Sequence, residues 1–533
     1  MPTRRQLLKG AAGAGAAALV LPEHLWWRSV AHADPVLPAR FSLDPAPFTL
    51  GVASGDPTPE AVVIWTRVAP EPFVAGGGVS GLVTVDWAMA TDPALSNVVA
   101  SGQVVTDATR AHTVHVDVTG LNPGTTYYYG FATGGQSSVV GRTRTAPAGS
   151  TSHLRFALAS CQQIFDGNSH RYAAFDRMRE EDLDFVLHVG DYIYENTFGT
   201  NHPEGVRPQP VTLDQYRFRY ALYRADPQLR HAHRDLPWVL TWDDHEVYND
   251  YDSGVNPTRR RDAYQAYYEH LPIRAPAGPP DLDGFQLYRR LQFGDLLDLL
   301  VLDTRQYRDQ PPGPTDNHND PNRSMLGADQ KAWVLSSLSS STTAWRGLAS
   351  AMTMADVKIV GGLPDRLEDL IPGPDGLTYY AHAWQGYTAE RTDILGHLVA
   401  NGIPDVVVLS GDWHRSIVSS LKVDFDDLLA PVVASEFTCT AVTSNGQGSN
   451  NDLNNLLGRL LIYPINRHMH YYECERHGYT VCDLTPEQWT TTYRTVSRSS
   501  PTSGASNLAT FRVLRGTAGP DMLSGSGGNP LAP

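Results

Sequence analysis

Phe156-Ala157-Leu158-Ala159-Ser160-Cys161 and Phe185-Val186-Leu187-His188-Val189-Gly190-Asp191-Tyr192-Ile193-Tyr194-Glu195 decide the architecture of this chain. Each opens on a short apolar run and breaks abruptly into polar residues. Short apolar runs bounded in this way read as buried strands. Between the two, His170 to Asp182 carries Tyr172, Phe175 and Met178 at helical spacing. Strand, helix and strand in so short a span make a βαβ unit, with its two strands parallel in one sheet. Further buried-strand candidates are Trp238-Val239-Leu240-Thr241, Leu299-Leu300-Val301-Leu302 and Val406-Val407-Val408-Leu409-Ser410, and Ala328 to Leu338 reads as an amphipathic helix. The expected fold class is α/β.

The residues that follow these runs carry the chemistry. Ser160-Cys161-Gln162-Gln163 ends the first strand and Gly190-Asp191-Tyr192-Ile193-Tyr194-Glu195 the second. Trp242-Asp243-Asp244-His245-Glu246-Val247-Tyr248-Asn249 follows the third and Gly411-Asp412-Trp413-His414 the last. Open α/β sheets place their sites at the carboxyl ends of strands. Taken singly, each block has an ordinary reading. A cysteine after a strand is usually a small buried apolar residue, an aspartate usually a cap, Asp-Asp-His-Glu a solvated loop and Gly-Asp-Trp-His a turn. Together they bring thiolate, carboxylate, phenolate and imidazole donors to equivalent places, which points to a shared centre.

In this order the blocks resemble the calcineurin-like metallophosphoesterase superfamily, whose blocks run Asp-x-His, Gly-Asp-x-x-Asp or Tyr, Gly-Asn-His-Glu and Gly-His-x-His. With Cys161 in the first block, Tyr194 three residues after Asp191, and Asp-Asp-His-Glu in the third, the chain is similar to the alkaline phosphatase D family. The likeness extends through Asp303-Thr304-Arg305-Gln306-Tyr307-Arg308, through Trp384-Gln385-Gly386-Tyr387-Thr388-Ala389-Glu390-Arg391, and through Gly51-Val52-Ala53-Ser54-Gly55-Asp56.

The resemblance implies a calcineurin-like metallophosphoesterase β-sandwich flanked by helices over residues 152–498. It also implies hydrolysis of phosphate esters with Fe3+ paired with one or two Ca2+. Cys161, Asp191, Tyr194 and His414 are then the iron ligands, with Asp191 bridging toward calcium. Asp244, Asn249 and Asp412 are the calcium candidates, Asp244 and Asn249 competing for the place of the asparagine in Gly-Asn-His-Glu. Thiolate and phenolate suit Fe3+, and carboxylate and amide oxygens suit Ca2+. Two cations would clamp the phosphoryl oxygens and acidify a bound water. His245 either protonates the leaving oxygen or only orients Asp244. Arg305 either pairs with phosphate bidentately or is structural. One departure stands out: Gln385 occupies a position where the family has Asp. An uncharged amide there implies weaker calcium binding, or help from His382.

Residues 44–147 read as a small all-β unit. Val62 to Thr66, Val83 to Met89, Thr113 to Val118 and Thr126 to Phe131 are short strand-like runs parted by turn residues. Gly120-Leu121-Asn122-Pro123-Gly124-Thr125-Thr126-Tyr127 resembles the sheet corner of a fibronectin type III-like domain, where a Leu and a Tyr pack across the core. At the other end Ser, Gly and Pro accumulate, and residues 499–533 are expected to form a loose C-terminal tail.

Arg4-Arg5, the apolar run Gly10 to Leu21 and Ala31-His32-Ala33 follow one another as a twin-arginine signal peptide over residues 1–33. The expected partner is the twin-arginine translocation machinery and the expected location extracytoplasmic. The apolar run is shorter than the ~20 residues a membrane span needs, and no second one follows. The formal charge is −15, and loss of the signal makes it about −18. Such acidity argues against a general nucleic-acid or anionic-membrane binder. Four cysteines do not make a disulfide framework in 533 residues. With Cys161 engaged elsewhere, Cys439, Cys474 and Cys482 allow one bridge and one free thiol.

Two rival functions stand beside secreted phosphate-ester hydrolysis. Some secreted members of the family are iron-dependent phospholipases D, which need an exposed apolar rim at the pocket. A non-catalytic surface-binding protein would instead work through the β domain and have no reason to hold iron. Arg4→Lys together with Arg5→Lys should leave precursor in the cytoplasm. Normal appearance of the mature protein outside the cell, followed by immunoblotting, contradicts the signal assignment.

Overall fold

The computed structural model describes residues 41–532 apart from 165–170, 197–208, 275–284, 314–315, 361–369, 373–376 and 446–451. The signal peptide lies outside the described residues. Strand Leu154–Ala159, helix Ala173–Glu180 and strand Phe185–Val189 form the expected βαβ unit, its strands parallel with Phe185 opposite Phe156. Strand Pro237–Thr241 adds in parallel, with Val186 opposite Trp238. On the other flank Gly478–Leu484, Gln488–Thr495, Ser506–Leu514 and Asp521–Gly525 follow as antiparallel neighbours.

The last two strands correct the expected tail. Residues 506–525 are edge strands of the central sheet, so the catalytic fold does not stop at 498. Ala509, Phe511 and Val513 point alternately into the core and are at most 1% exposed. This period-2 pattern is short, and the Gly- and Ser-rich segment after it dominates the composition.

A second sheet runs Arg289–Phe293, Leu297–Val301, Trp345–Ala349, Val406–Ser410, Val432–Thr438, Ser416–Lys422 and Met469–Glu473. Four of these strands, from Leu297–Val301 to Val432–Thr438, are mutually parallel. The two sheets face each other. Phe156, Phe185 and Leu187 from one meet Phe293, Leu299, Val407 and Leu409 from the other in a single buried cluster. The Phe185 ring stacks between Phe156 and Phe293, with centroids 4.6 Å away on each side.

Residues of opposite parity face outward. Ala157 and Val186 meet Phe175 and Met178 of the first helix. Leu300 and Val408 meet Val334 and Leu338 of helix Gly327–Ser340 and Ile394 of helix Thr388–Ala400. The near-continuous apolar runs in the sequence thus reflect strands covered on both faces. The fold is a β-sandwich flanked by helices, as expected.

The N-terminal region is also a two-sheet sandwich. Val62, Ile64, Val114 and Val118 pack against Val85, Met89, Tyr129 and Phe131. At its corner Leu121 and Tyr127 are buried, and the Tyr127 hydroxyl accepts the Asn122 N–H at 2.9 Å. Strand Val52–Thr58, unmarked by any clear pattern in the sequence, pairs in parallel with Pro237–Thr241. With Ala61–Arg67 and Thr113–Thr119 it extends the central catalytic sheet to ten strands. All four cysteines are buried and unbridged, so the possible bridge among Cys439, Cys474 and Cys482 does not form.

Because the Phe511 ring fills the inter-sheet core, Phe511→Ala should cost about 3–5 kcal/mol. Denaturant unfolding measures it. A cost near that of an exposed substitution would mean that the C-terminal strands are peripheral.

Candidate active site

The parallel strands of both sheets end at the same edge of the sandwich, and their polar residues meet there. Two glycines allow the approach. A Cβ on Gly190, whose φ is +108°, would lie 2.5 Å from the Asp243 Cβ. One on Gly411 would lie 2.6 Å from the Ser160 hydroxyl. The following residues take left-handed backbone: Cys161 (φ 59°), Asp191 (57°), Asp250 (58°), Asp412 (65°) and His414 (53°). Such conformations cost of order 1–3 kcal/mol each and gather where a site must be aimed.

The Cys161 thiol, an Asp191 oxygen and a His414 ring nitrogen lie within 4.8 Å of one another. The Tyr194 hydroxyl donates to Asp191 Oδ2 at 2.7 Å and lies 3.1 Å from His414 Nε2. His414 Nδ1 sits 2.6 Å from the Asn445 carbonyl, so Nδ1 carries the proton and Nε2 presents its lone pair. The Ser444 hydroxyl touches both the Tyr194 oxygen and the Cys161 carbonyl, each at 2.7 Å. Burial, with Asp191 beside them, pushes the Cys161 thiol and the Tyr194 phenol well above their ordinary ranges.

Asp191 also belongs to a second set, with Asp244 and His245 inside the same 4.8 Å limit. His245 Nδ1 is 2.6 Å from the buried Glu195 carboxylate. Burial would lower the imidazolium, but Glu195, Asp191 and Asp244 outweigh it and hold it well above the usual range. The His245 ring stacks on Tyr194 at 4.1 Å.

Arg305 is fully buried among carboxylates. It reaches Asp243 at 2.5 Å, Asp250 at 3.4 Å, Asp244 at 3.5 Å and Asp412 at 3.9 Å. Of the two residues competing for the asparagine's place, Asp244 is the one gathered with Asp191. Asn249 is exposed, and its side-chain amide donates to Asp250 at 2.7 Å.

Gln385 turns its amide to the backbone. Its buried amide accepts the Tyr380 N–H and donates to the Val357 carbonyl, so both its ends are held by backbone. His382 does reach the site, 3.0 Å from Asp250. Beside the Asp412–His414 turn, Trp413 packs on a cluster that includes Ile462 of helix Asp452–Ile462. That helix exposes Leu456, Leu457, Leu460 and Leu461.

The family model of the PhoD-like phosphatase matches residues 156–493, and that of its N-terminal domain residues 33–147. The chain belongs to the PhoD-like phosphatase family. A twin-arginine signal model matches residues 1–20. Alkaline phosphatase D of Bacillus subtilis (strain 168) is 38% identical over 496 residues, which cover 87% of this chain and 80% of that protein. A solved structure of PhoD superposes with a TM-score of 0.81 at 37% identity, covering 90% of this chain and 93% of that one. This PhoD-like phosphatase is therefore a phosphoric ester hydrolase exported to an extracytoplasmic location. No described helix is long and apolar enough to cross a membrane.

The residues present fit the cations this family implies. Asp243, Asp244 and Asp412 each have a buried carboxylate oxygen without a hydrogen-bond partner. Burial first, then neighbouring carboxylates, push Asp191 and Asp412 well above the carboxylate range. So many anionic donors around one arginine leave negative charge that bound cations would satisfy.

Sequence reasoning assigned no role to Asp250, Glu195, Ser444 and Asn445. Glu195 closes the quoted block Gly190 to Glu195 and Asp250 directly follows the block Trp242 to Asn249, so both could have been drawn in by adjacency. Ser444 and Asn445 lie in a loop with no distinguishing pattern, and only the fold brings them to Tyr194 and His414.

Proposed function

We propose that this phosphatase cleaves phosphate mono- or diesters at a centre holding iron through Cys161, Asp191, Tyr194 and His414, and calcium through Asp191, Asp244 and Asp412. The observation that carries the reading is the sharing of Asp191 between two adjacent donor sets, one of them containing thiolate and phenolate donors. Such donors suit Fe3+, while the carboxylates Asp191, Asp244 and Asp412 suit Ca2+, which leaves His245 of the second set for the leaving group. Bound together, the cations would neutralise phosphoryl oxygens and acidify the water that attacks phosphorus.

The protein's own groups do the rest. His414 is fixed by the Asn445 carbonyl, so its Nε2 stays free of a proton. His245, oriented through Nδ1 by Glu195, holds a proton on Nε2. As the phosphorus–oxygen bond to the alcohol breaks, that proton passes to the leaving oxygen, and Glu195 stabilises the charged ring beforehand. Arg305 donates to Asp243 and Asp250 and sets their spacing, while its Nη2 has no hydrogen-bond partner among the described residues and lies 3.5 and 3.9 Å from Asp244 and Asp412, so the arrangement supports both of its candidate roles.

Cys161→Ala and Tyr194→Phe each remove one anionic donor. Phenolate or thiolate on Fe3+ gives a visible charge-transfer band, so each variant should lose or shift colour, hold less iron and lose activity. Iron per chain with the visible spectrum decides this. A colourless, iron-free, fully active wild type overturns the cofactor assignment.

His245→Ala should damage alkyl phosphates about 10²-fold or more, and aryl phosphates with an acidic phenol much less. Equal losses with metal retained would make His245 positional. A short-chain phosphatidylcholine belongs in the same panel, because the exposed leucines of helix Asp452–Ile462 favour a lipid ester as the second reading. Turnover that rises above its micelle threshold identifies that substrate.

A further inference from the structure

The stretch Gly51-Val52-Ala53-Ser54-Gly55-Asp56 lies in the N-terminal sandwich, away from the reacting groups, and the mechanism does not use it. One side of it pairs with Ala61–Arg67 of its own sandwich, and the other side runs to the catalytic fold. Ser54 and Gly55 pair with Pro237 and Trp238 of the strand that delivers Asp243, Asp244 and His245. A Cβ on Gly55 would stand 2.3 Å from the Pro272 carbonyl oxygen and 2.6 Å from that of Trp238, so only glycine lets the two backbones meet. At Gly51, with φ +72°, a Cβ would press within 2.9 Å of the Arg230 side chain and the Asp44 carboxylate.

Asp56 is fully buried and takes a left-handed φ of 45°. Its Oδ2 accepts the Arg274 N–H at 2.8 Å, and its Oδ1 accepts Arg289 Nη2 at 2.6 Å. The same Arg289 nitrogen donates to the Leu240 carbonyl at 3.0 Å. One guanidinium therefore ties three bodies: the N-terminal sandwich through Asp56, the second sheet through its own strand Arg289–Phe293, and the central strand through Leu240. One residue on, the Thr241 hydroxyl donates to the Leu302 carbonyl at 2.8 Å. That bond fixes the same strand end to the segment that continues into Asp303 and Arg305.

We infer that Asp56 and Arg289 are positioning residues, which hold the end of strand Pro237–Thr241 so that Asp244 and His245 arrive correctly at the centre. The N-terminal sandwich is then a working part of the active site and not a detachable module. The inference rests on the assignment of Asp244 and His245 to the reaction centre. A carboxylate with two charge-assisted or backbone partners loses most of this when it becomes an amide of the same shape, and small displacements of reacting groups are costly in rate.

Three full-length proteins test it: wild type, Asp56→Asn, and Tyr127→Phe. The last removes a sandwich hydrogen bond that does not touch the brace. Hydrogen exchange of the segment Leu240 to Val247 is measured by mass spectrometry, well below each melting temperature. Asp56→Asn should speed exchange there about tenfold, and should lower kcat on p-nitrophenyl phosphate about tenfold with KM nearly unchanged. Tyr127→Phe should lower the melting temperature alone.

If Asp56→Asn does not fold, Arg289→Lys is examined in the same way. Its shorter side chain falls short of the position from which Arg289 Nη2 reaches both Asp56 and Leu240. Unchanged exchange and kcat in the brace variant, or the same changes in Tyr127→Phe, overturn the inference. A wild type that fails on every phosphate ester instead overturns the proposed function, while the exchange measurement still tests the brace.

Discussion

The Asp191 carboxylate lies where the carboxyl ends of two sheets converge, and most of the structure around it serves to make that position tenable. A buried carboxylate, thiol and phenol gathered this closely resist ionisation together, which holds all three well above their ordinary ranges. The fold answers with rigid second-layer contacts. Glu246 accepts the backbone N–H of Tyr192 at 2.6 Å and of Asp243 at 3.0 Å, clipping the two strand-end loops together. On the other sheet, Glu436 accepts the N–H groups of Met354 and Ala355 and the Ser410 hydroxyl behind Asp412. Each sheet thus uses one buried glutamate to fix the loop from which its ligand candidates project.

This rigidity has a backbone counterpart. Cys161, Asp191, Asp412 and His414 all adopt left-handed φ without being glycine. Glycine would be easier to accommodate, but the chemistry needs those side chains at those points. The strain is carried by sheets whose inner faces are close-packed with Phe156, Phe185, Phe293 and Leu409, and by helices that cover the outer faces. A two-layer core buried on all sides can hold several outliers of ~1–3 kcal/mol each, whereas a loop on the surface would relax.

The central sheet does not respect the boundary between the N-terminal sandwich and the catalytic region. Strand Val52–Thr58 joins Pro237–Thr241 edge to edge, which also removes an exposed edge next to the site. The far edge is extended by residues 506–525. Both ends of the mature chain therefore close on the same sheet, on either side of the βαβ unit with which the reading of the sequence began.

The sequence by itself determined the strands Leu154–Ala159, Phe185–Val189, Pro237–Thr241 and Val406–Ser410, because runs covered on both faces are continuously apolar and end sharply. It also placed Cys161, Asp191, Asp244 and His414 after those runs, where their occurrence together and in this order distinguishes them from ordinary caps and turns. It did not determine the C-terminal strands, whose alternation at Ala509, Phe511 and Val513 is outweighed locally by Gly and Ser. Nor did it fix the part played by Gln385, whose amide the Tyr380 and Val357 backbone claims. Arg305 looked equally suited to phosphate and to structure, and only tertiary packing surrounded it with Asp243, Asp244, Asp250 and Asp412. Local pattern records what each segment buries. Which polar group meets which depends on contacts between residues as distant as Cys161 and Ser444 or Asp56 and Arg289, and those exist only once the sheets have closed.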